Sequence, residues 1–157
     1  MDISYISMHR GFLYLTAVRN WASRRVLSFR LFNTLSADFC CDTVEEALAC
    51  YGVPDICNTD QGCQFTRHTF MALLQEHNIQ ISMDRRGAWR DKVFVERLWW
   101  TIHYEAGYLH ADETVVQARV SLMRYFAFYN QRRPHLALDG QTPDAVYFKS
   151  LLSTLAT

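Results

Sequence analysis

Two short stretches of this chain decide its fold, and they read NTDQGCQFT (residues 58–66) and DKVFVERLW (residues 91–99). The first follows an apolar run over residues 53–57, which predicts a strand. The second places Glu96 inside an apolar run at helical spacing. A carboxylate at a strand end, Asp60, and another on a helix, Glu96, can converge on one point. With a third acid they would hold divalent metal ions for phosphoryl chemistry.

The separation of these two acids carries little weight by itself. Thirty-five residues lie between Asp60 and Glu96, but the chain has 16 acidic residues, so many pairs fall about that far apart by chance. Most Asp and Glu side chains of a globular protein are solvated at its surface. The rest of the sequence therefore has to decide whether this pair is functional.

The composition is that of one globular domain. The 157 residues are 50% apolar and 20% charged, and the formal net charge of +0 argues against a strongly basic nucleic-acid binder. No apolar run is long enough to span a membrane, and residues 1–4 lack the features of a signal peptide. We therefore expect a cytoplasmic protein with no membrane partner. Five cysteines without a Cys-x-x-Cys pair predict free, mostly buried thiols.

The basic residues are concentrated in two places. The clusters are Arg85, Arg86, Arg90, Lys92 and Arg97, and then Arg132 and Arg133. A local basic rim around an acidic centre can hold a phosphate backbone. A solvated charged face is an equally good interpretation of each cluster taken alone.

Hydrophobic periodicity predicts three strands, then a strand between helices, then further helices. Strands are expected over residues 2–6, 12–18, 25–31, 53–57 and 79–81. Helices are expected from Asp42 or Thr43, where Glu45 and Glu46 would complete a capping box, over 70–77, over 91–105, from near Asp112, and after Thr142-Pro143. Residues 84–89 are expected to form a mobile loop. This order indicates a mixed sheet with helices packed on it.

Taken together, these segments resemble the integrase catalytic core of OrfB-type insertion-sequence transposases, in the Asp-Asp-Glu superfamily of the retroviral integrases. Residues 2–6 (DISYI) are similar to that family's first-carboxylate strand, and residues 58–66 and 91–99 to its second and third motifs. YNQRRPH (residues 129–135), followed by Leu138 and Thr142-Pro143, is similar to its C-terminal signature. We interpret residues 1–157 as an integrase-type catalytic core truncated at its N-terminus.

The resemblance implies an α/β, ribonuclease-H-like fold with a five-stranded mixed sheet flanked by helices. It implies a catalytic and metal-binding triad of Asp2, Asp60 and Glu96, which would hold two Mg²⁺ ions, with Mn²⁺ as a substitute. The implied enzyme is a Mg²⁺-dependent DNA transposase, a polynucleotidyl transferase that cleaves donor ends and then transfers strands into target DNA. Its partners would be the element ends and the target, bound by a homo-oligomer.

Residues expected to bind DNA come from the basic clusters and from the third motif: Arg85, Arg86, Arg90, Lys92, His103, Arg132 and Arg133. Two of them depart from the family, which usually has Asn at position 92 and Lys or Arg at position 103. Only Met1 precedes Asp2, so we expect the first strand to be held from its C-terminal side only and Asp2 to be poorly placed.

Other interpretations stay open at this point. The chain could be an inactive, truncated transposase remnant that at most binds DNA or a partner transposase. A generic ribonuclease-H-type nuclease is disfavoured by the C-terminal signature. Trp89, Trp99 and Trp100 are candidates for stacking on bases. Core packing is favoured for Trp99, neither role is favoured for Trp100, and a structural role is favoured for His135.

Overall fold

The computed structural model describes residues 1–9, 11–34, 36, 38–59, 62, 67–83, 98–102, 104 and 114–155. Three antiparallel strands form its first sheet, in the order β1-β2-β3. They are β1 (Asp2–Ser7), β2 (Phe12–Arg19) and β3 (Val26–Phe32), the three strands that the sequence predicts. Asp2 lies opposite Ala17, and Ala17 lies opposite Phe29.

Two further strands, β4 (Ile56–Thr59) and β5 (Gln80–Met83), pair in parallel, with Ile56 opposite Gln80. The strand expected over residues 53–57 begins three residues later than predicted. Gly52, whose φ is 84°, and Pro54 still belong to the turn after the preceding helix, and proline cannot donate to a strand ladder.

The five predicted strands are thus present, but within the described residues they form a three-stranded and a two-stranded sheet. A hydrogen bond connects the two sheets: the nitrogen of Met1, just before β1, donates to the carbonyl oxygen of Asn58 on β4 at 2.7 Å. The single five-stranded sheet that the resemblance implies is therefore not confirmed.

The helices are α1 (Asp38–Tyr51), α2 (His68–Glu76), a helical segment over 98–102, α3 (Val115–Gln131), a 3-10 turn (Leu136–Leu138) and α4 (Pro143–Leu155). The expectation that the first helix starts at Asp42 or Thr43 is wrong. Thr43 lies inside α1 and its hydroxyl donates to the Phe39 carbonyl oxygen at 2.6 Å, so it caps nothing. The predicted cap of the last helix is confirmed, since Ala145 N donates to Thr142 Oγ1 at 3.3 Å.

The α3 helix begins at Val115, three residues beyond the predicted start near Asp112. Thr114 is its N-cap: the Thr114 hydroxyl accepts from Gln117 N at 3.2 Å, and Gln117 Oε1 accepts from Thr114 N at 3.1 Å. This reciprocal pair is a capping box. No described helix is long and apolar enough to cross a membrane.

The first sheet is covered on both faces, so alternate residues of each strand enter different buried clusters. On one face, Leu15 and Ala17 pack with residues of α3 and of segment 98–102. On the other face, Ile3, Val18 and Phe32 pack with residues of α1 and α2. The four described cysteines are free, but only Cys40 is fully buried, so the expectation of mostly buried thiols is wrong for this part of the chain.

Candidate active site

Asp2, the first acid of the expected triad, opens β1 and pairs with Ala17 of β2. The residue before it is also held, because the Met1 nitrogen bonds to the Asn58 carbonyl oxygen on β4 at 2.7 Å. The expectation that this strand is held from its C-terminal side only is therefore wrong. Asp2 is thus paired with β2, and the residue before it is bonded to β4.

The carboxylate of Asp2 is oriented by two hydrogen bonds. Its Oδ1 accepts from Ile3 N at 2.8 Å, and its Oδ2 accepts from the indole Nε1 of Trp99 at 2.8 Å. Trp99 is 8% exposed and belongs to the cluster under α3, so its predicted core packing is confirmed. The bond to Asp2 was not predicted. The spacing offered one signal for it, because position 99 is one helical turn after Glu96 and would share its face.

A half-buried cation interacts electrostatically with this acid. Arg19, the last residue of β2, hydrogen-bonds Tyr129 on α3, and the Asp2 charge attracts it. Burial lowers the pKa of Arg19 below its ordinary value, and burial raises the pKa of Tyr129 above its usual 10.0. A guanidinium remains charged at neutral pH despite such a shift. The sequence signal for Arg19 is a lone charge closing the apolar run of β2.

The other two acids of the triad, Asp60 and Glu96, lie outside the described residues. Among the described residues, no group of three or more His, Cys, Asp or Glu side chains has a metal-binding arrangement. The residue before Asp60 is Thr59, the end of β4, which is only 2% exposed. Its hydroxyl is buried and has no hydrogen-bond partner in this part of the chain.

Most of the expected DNA-binding residues also lie outside the described residues, namely Arg85, Arg86, Arg90, Lys92 and His103, as does Trp89. Arg132 is exposed at the end of α3, and the Arg133 guanidinium lies over the Tyr129 ring at 5.9 Å. Trp100 is 59% exposed and lies against Tyr104, with ring centroids 4.4 Å apart. Trp100 is therefore outside the core, which the sequence alone left open.

The C-terminal signature joins α3 to the hairpin of β2 and β3. The Asn130 side chain accepts from Val26 N at 3.0 Å and donates to Val26 O at 2.9 Å, which extends the backbone pairing of β3. Tyr129 bonds Arg19, and the His135 ring meets the Tyr129 ring edge-on at 4.8 Å. These contacts agree with the structural role favoured for His135, and they assign a structural role to Tyr129 and Asn130.

Two models of the integrase core domain match this sequence, one over residues 1–88 and the other over residues 77–143. The chain belongs to the integrase core domain family. The membership agrees with the geometry above, because the first match carries β1, with Asp2, and both strands of the second sheet. The second match includes the third motif, α3 and the signature that follows it.

A curated relative is the transposase InsF for insertion sequence IS3A of Escherichia coli strain K12, which is 28% identical over 155 residues. The match covers 96% of this chain and 53% of that protein, so the chain spans about half the length of this relative. Two solved structures show the same fold, and both are retroviral integrase cores of the ribonuclease-H-like class.

The first of these structures is the catalytic core domain of BIV integrase, with a TM-score of 0.74, 18% identity, and coverage of 98% of this chain and 96% of that one. The second is the HTLV-2 integrase catalytic core domain in complex with magnesium, in its dimeric form. Its TM-score is 0.72 at 19% identity, and the match covers 90% of this chain and 89% of that one.

Proposed function

We propose that this chain is the catalytic core of a DNA transposase, which cleaves donor ends and transfers the cut strands into target DNA in a reaction that depends on divalent metal ions. The proposed triad is Asp2, Asp60 and Glu96. Support comes from membership of the integrase core family and from the similarity to the InsF transposase. The observation that carries the proposal is the bond between Trp99 and Asp2.

This bond ties the third motif to the first acid. Trp99 stands three positions after Glu96, and Trp99 Nε1 lies 2.8 Å from Asp2 Oδ2. Residues three apart on a helix share a face and lie about one turn from each other. Position 96 precedes Trp99 by one such turn in the sequence, so we propose that Glu96 shares the face that meets Asp2.

A second contact brings the middle motif to the same place. Asn58 O accepts from Met1 N, next to Asp2, and Asn58 stands two positions before Asp60. Consecutive Cα atoms are about 3.8 Å apart, so two positions of chain span at most about 7.6 Å. The described neighbours of both remaining acids therefore contact Asp2 or the residue beside it.

The donor set suits a hard divalent cation, because carboxylate oxygens are the ligands that Mg²⁺ and Mn²⁺ prefer. An ionised carboxylate has about four acceptor sites, and Ile3 N and Trp99 Nε1 both donate to the Asp2 carboxylate. When bound, such ions would activate a water or a DNA 3′-hydroxyl and stabilise the leaving oxygen.

The protein's own residues have separate tasks in this proposal. Trp99 fixes the direction of the Asp2 carboxylate, since its indole N–H can only donate. The positive charge of Arg19 attracts the Asp2 carboxylate. Arg132 and Arg133 would contact DNA, as would the residues of the first basic cluster and His103. The core would act as a homo-oligomer on its DNA.

The test is nicking of supercoiled plasmid in Mg²⁺ or Mn²⁺. We expect Asp2→Asn, Asp60→Asn and Glu96→Gln each to lower the rate by about a hundredfold or more, because small losses of geometry at the reacting centre already cost that much. Asp55→Asn and Glu76→Gln are matched controls, because each removes one exposed carboxylate at another place. Undiminished nicking by any triad variant, or no nicking at all by wild type, would contradict the proposal.

A further inference from the structure

A small pocket opens beside the turn between β2 and β3. It has a volume of about 220 Å³ and is lined by Arg19, Trp21, Ala22, Arg24 and Ala137. Pockets for drug-sized ligands usually begin at about 300 Å³, so this one suits a smaller group. Among the lining residues that belong to the described part of the chain, two are arginines and none is acidic. Trp21 is 48% exposed, so part of its ring faces solvent.

The turn that carries Trp21 and Arg24 is held by its own hydrogen bonds. Asn20 Oδ1 accepts from Ser23 N at 2.9 Å and from Ser23 Oγ at 2.8 Å. Arg24 N donates to Asn20 O at 2.9 Å and Asn20 N donates to Arg25 O at 2.8 Å, which holds Arg24 at a φ of 63°. A group displayed by a pre-formed turn loses little entropy when it binds a ligand.

The opposite wall is also pre-formed. Ala137 lies in the 3-10 turn Leu136–Leu138, just after the C-terminal signature. Leu138 N and Gly140 N both donate to the His135 carbonyl oxygen, at 2.9 and 3.0 Å. Each wall therefore keeps its own backbone shape without a ligand.

The electrostatics of this region favour an anion. Arg19 and Arg24 repel each other, while Asp2 attracts Arg19. Arg133 adds a third positive charge that acts on Tyr129 together with Arg19 and Arg24. The formal net charge of the chain is +0, so a concentration of cations here is local and does not reflect a basic protein.

We propose that this pocket binds a phosphate of a DNA strand between the Arg19 and Arg24 guanidinium groups, with the adjoining sugar or base against the Trp21 ring. This inference rests on the proposed function, which supplies DNA as the substrate, and it adds an anchoring point on a strand turn that belongs to none of the four sequence motifs. Guanidinium groups match phosphate oxygens in charge and geometry, and an aromatic ring accepts any base by stacking.

The test measures DNA binding by fluorescence anisotropy in EDTA, with a labelled duplex and a labelled single strand, as salt rises from about 50 to 200 mM. One phosphate contact on duplex DNA contributes about 0.9 to the slope of log affinity against log salt. Wild type and Arg24→Gln should both lose affinity for the duplex as the salt concentration rises fourfold. We expect the factor by which Arg24→Gln loses affinity to be about 3.5-fold smaller than that of wild type. Trp21→Ala should weaken single-strand binding about fivefold or more.

Two controls match the Arg24 substitution. Arg24→Lys keeps the charge on the same turn and should keep the slope. Arg119→Gln removes one positive charge from an exposed position on α3, ten residues before Tyr129 and so about 15 Å along the helix axis, and it should also keep the slope. Thermal unfolding of every variant, together with its circular dichroism, checks that the turn substitutions leave the fold intact.

The outcomes separate this inference from the proposed function. Equal salt slopes for wild type and a folded Arg24→Gln would overturn the pocket assignment. This result would not bear on the proposed function, because DNA binding is measured without metal and plasmid nicking is a separate assay. An effect of Arg24→Gln on the binding of inorganic phosphate, with no effect on either DNA, would overturn it in favour of a small-anion site. Loss of nicking in the triad variants tests the proposed function alone.

Discussion

Arg25 connects the hairpin turn to the C-terminal helix, and replacing it should destabilise the fold. Its Nε lies 2.6 Å from Asp144 Oδ1 on α4, and the two side chains are only 12% and 18% exposed. Its guanidinium carbon also lies 4.9 to 5.0 Å from the ring centroids of Tyr51, Tyr147 and Phe148. One cation thus holds the ends of α1 and α4 against the start of β3.

The cost of Arg25→Met follows from these contacts. Methionine keeps much of the apolar stem but leaves the mostly buried Asp144 without its ion-pair partner, and breaking a fully buried pair in this way costs about 3–5 kcal/mol. Loss of the ring contacts adds about 0.5–1 kcal/mol or more. Part of this cost is offset, because the pair is not fully buried and because Asp144 regains hydration when the arginine is removed. We expect the free energy of unfolding to fall by about 2–4 kcal/mol.

The assay is urea unfolding followed by tryptophan fluorescence, with Arg30→Met as the matched control. Arg30 forms the same kind of pair with Glu46, at 3.2 Å, but the two side chains are 40% and 46% exposed. Exposed pairs contribute about 0–1 kcal/mol, so the control should cost less than about 1 kcal/mol.

A double-mutant cycle of Arg25→Met with Asp144→Asn isolates the ion pair, because the helix-start effect of Asp144 cancels in it. We expect a coupling energy of about 1–3 kcal/mol. A coupling near zero, or equal costs for Arg25→Met and Arg30→Met, would refute the reasoning.

Two other predictions concern the site and the pH dependence of folding. Trp99→Phe keeps an aromatic core residue but removes the donor to Asp2, so metal-dependent nicking should fall about tenfold or more while the fold persists, and wild-type nicking would contradict the positioning role. Burial raises the pKa of the Cys57 thiol above its usual 9.0. As pH rises above about 9, the unfolded chain releases this proton first, so the free energy of unfolding should decline by up to about 1.4 kcal/mol per pH unit from this group. Urea unfolding at several pH values should show a shallower decline for Cys57→Ala, and an unchanged decline would contradict the assignment.

The sequence predicted the strands well because their patterns are local. Leu15 and Ala17 alternate with Val18 along β2, and the two sets enter different buried clusters. The start of α1 was missed because Asp42 and Thr43, each followed by Glu three positions later, resemble a capping box, whereas packing of Phe39 and Cys40 in the core extends the helix to Asp38. Tertiary burial outweighed the local capping signal.

The site was less predictable because its contacts join distant positions. The bond between Trp99 and Asp2 spans 97 positions, and the bonds between Asn130 and Val26 span 104. Helical spacing placed Trp99 on the expected face of its helix, but nothing local says which strand that face meets. The ion pair of Arg25 with Asp144 spans 119 positions and lies in neither basic cluster of the sequence analysis. The register of paired strands, by contrast, follows from the alternation of apolar and polar residues along each strand.

The contacts of the C-terminal signature imply that its buried residues hold the residues around Asp2 in place. Tyr129 bonds Arg19, which the Asp2 charge attracts. Asn130 bonds the first residue of β3, and Tyr129 belongs to the same buried cluster as Trp99. Through Tyr129, α3 therefore contacts both the cluster that contains Trp99 and one arginine of the pocket. Substituting Tyr129 or Asn130 would then alter cleavage and DNA binding together although neither side chain need contact DNA, whereas exposed Arg132 is placed to affect binding alone. The signature would thus combine two roles: its buried residues position the proposed site, and its exposed residues bind DNA.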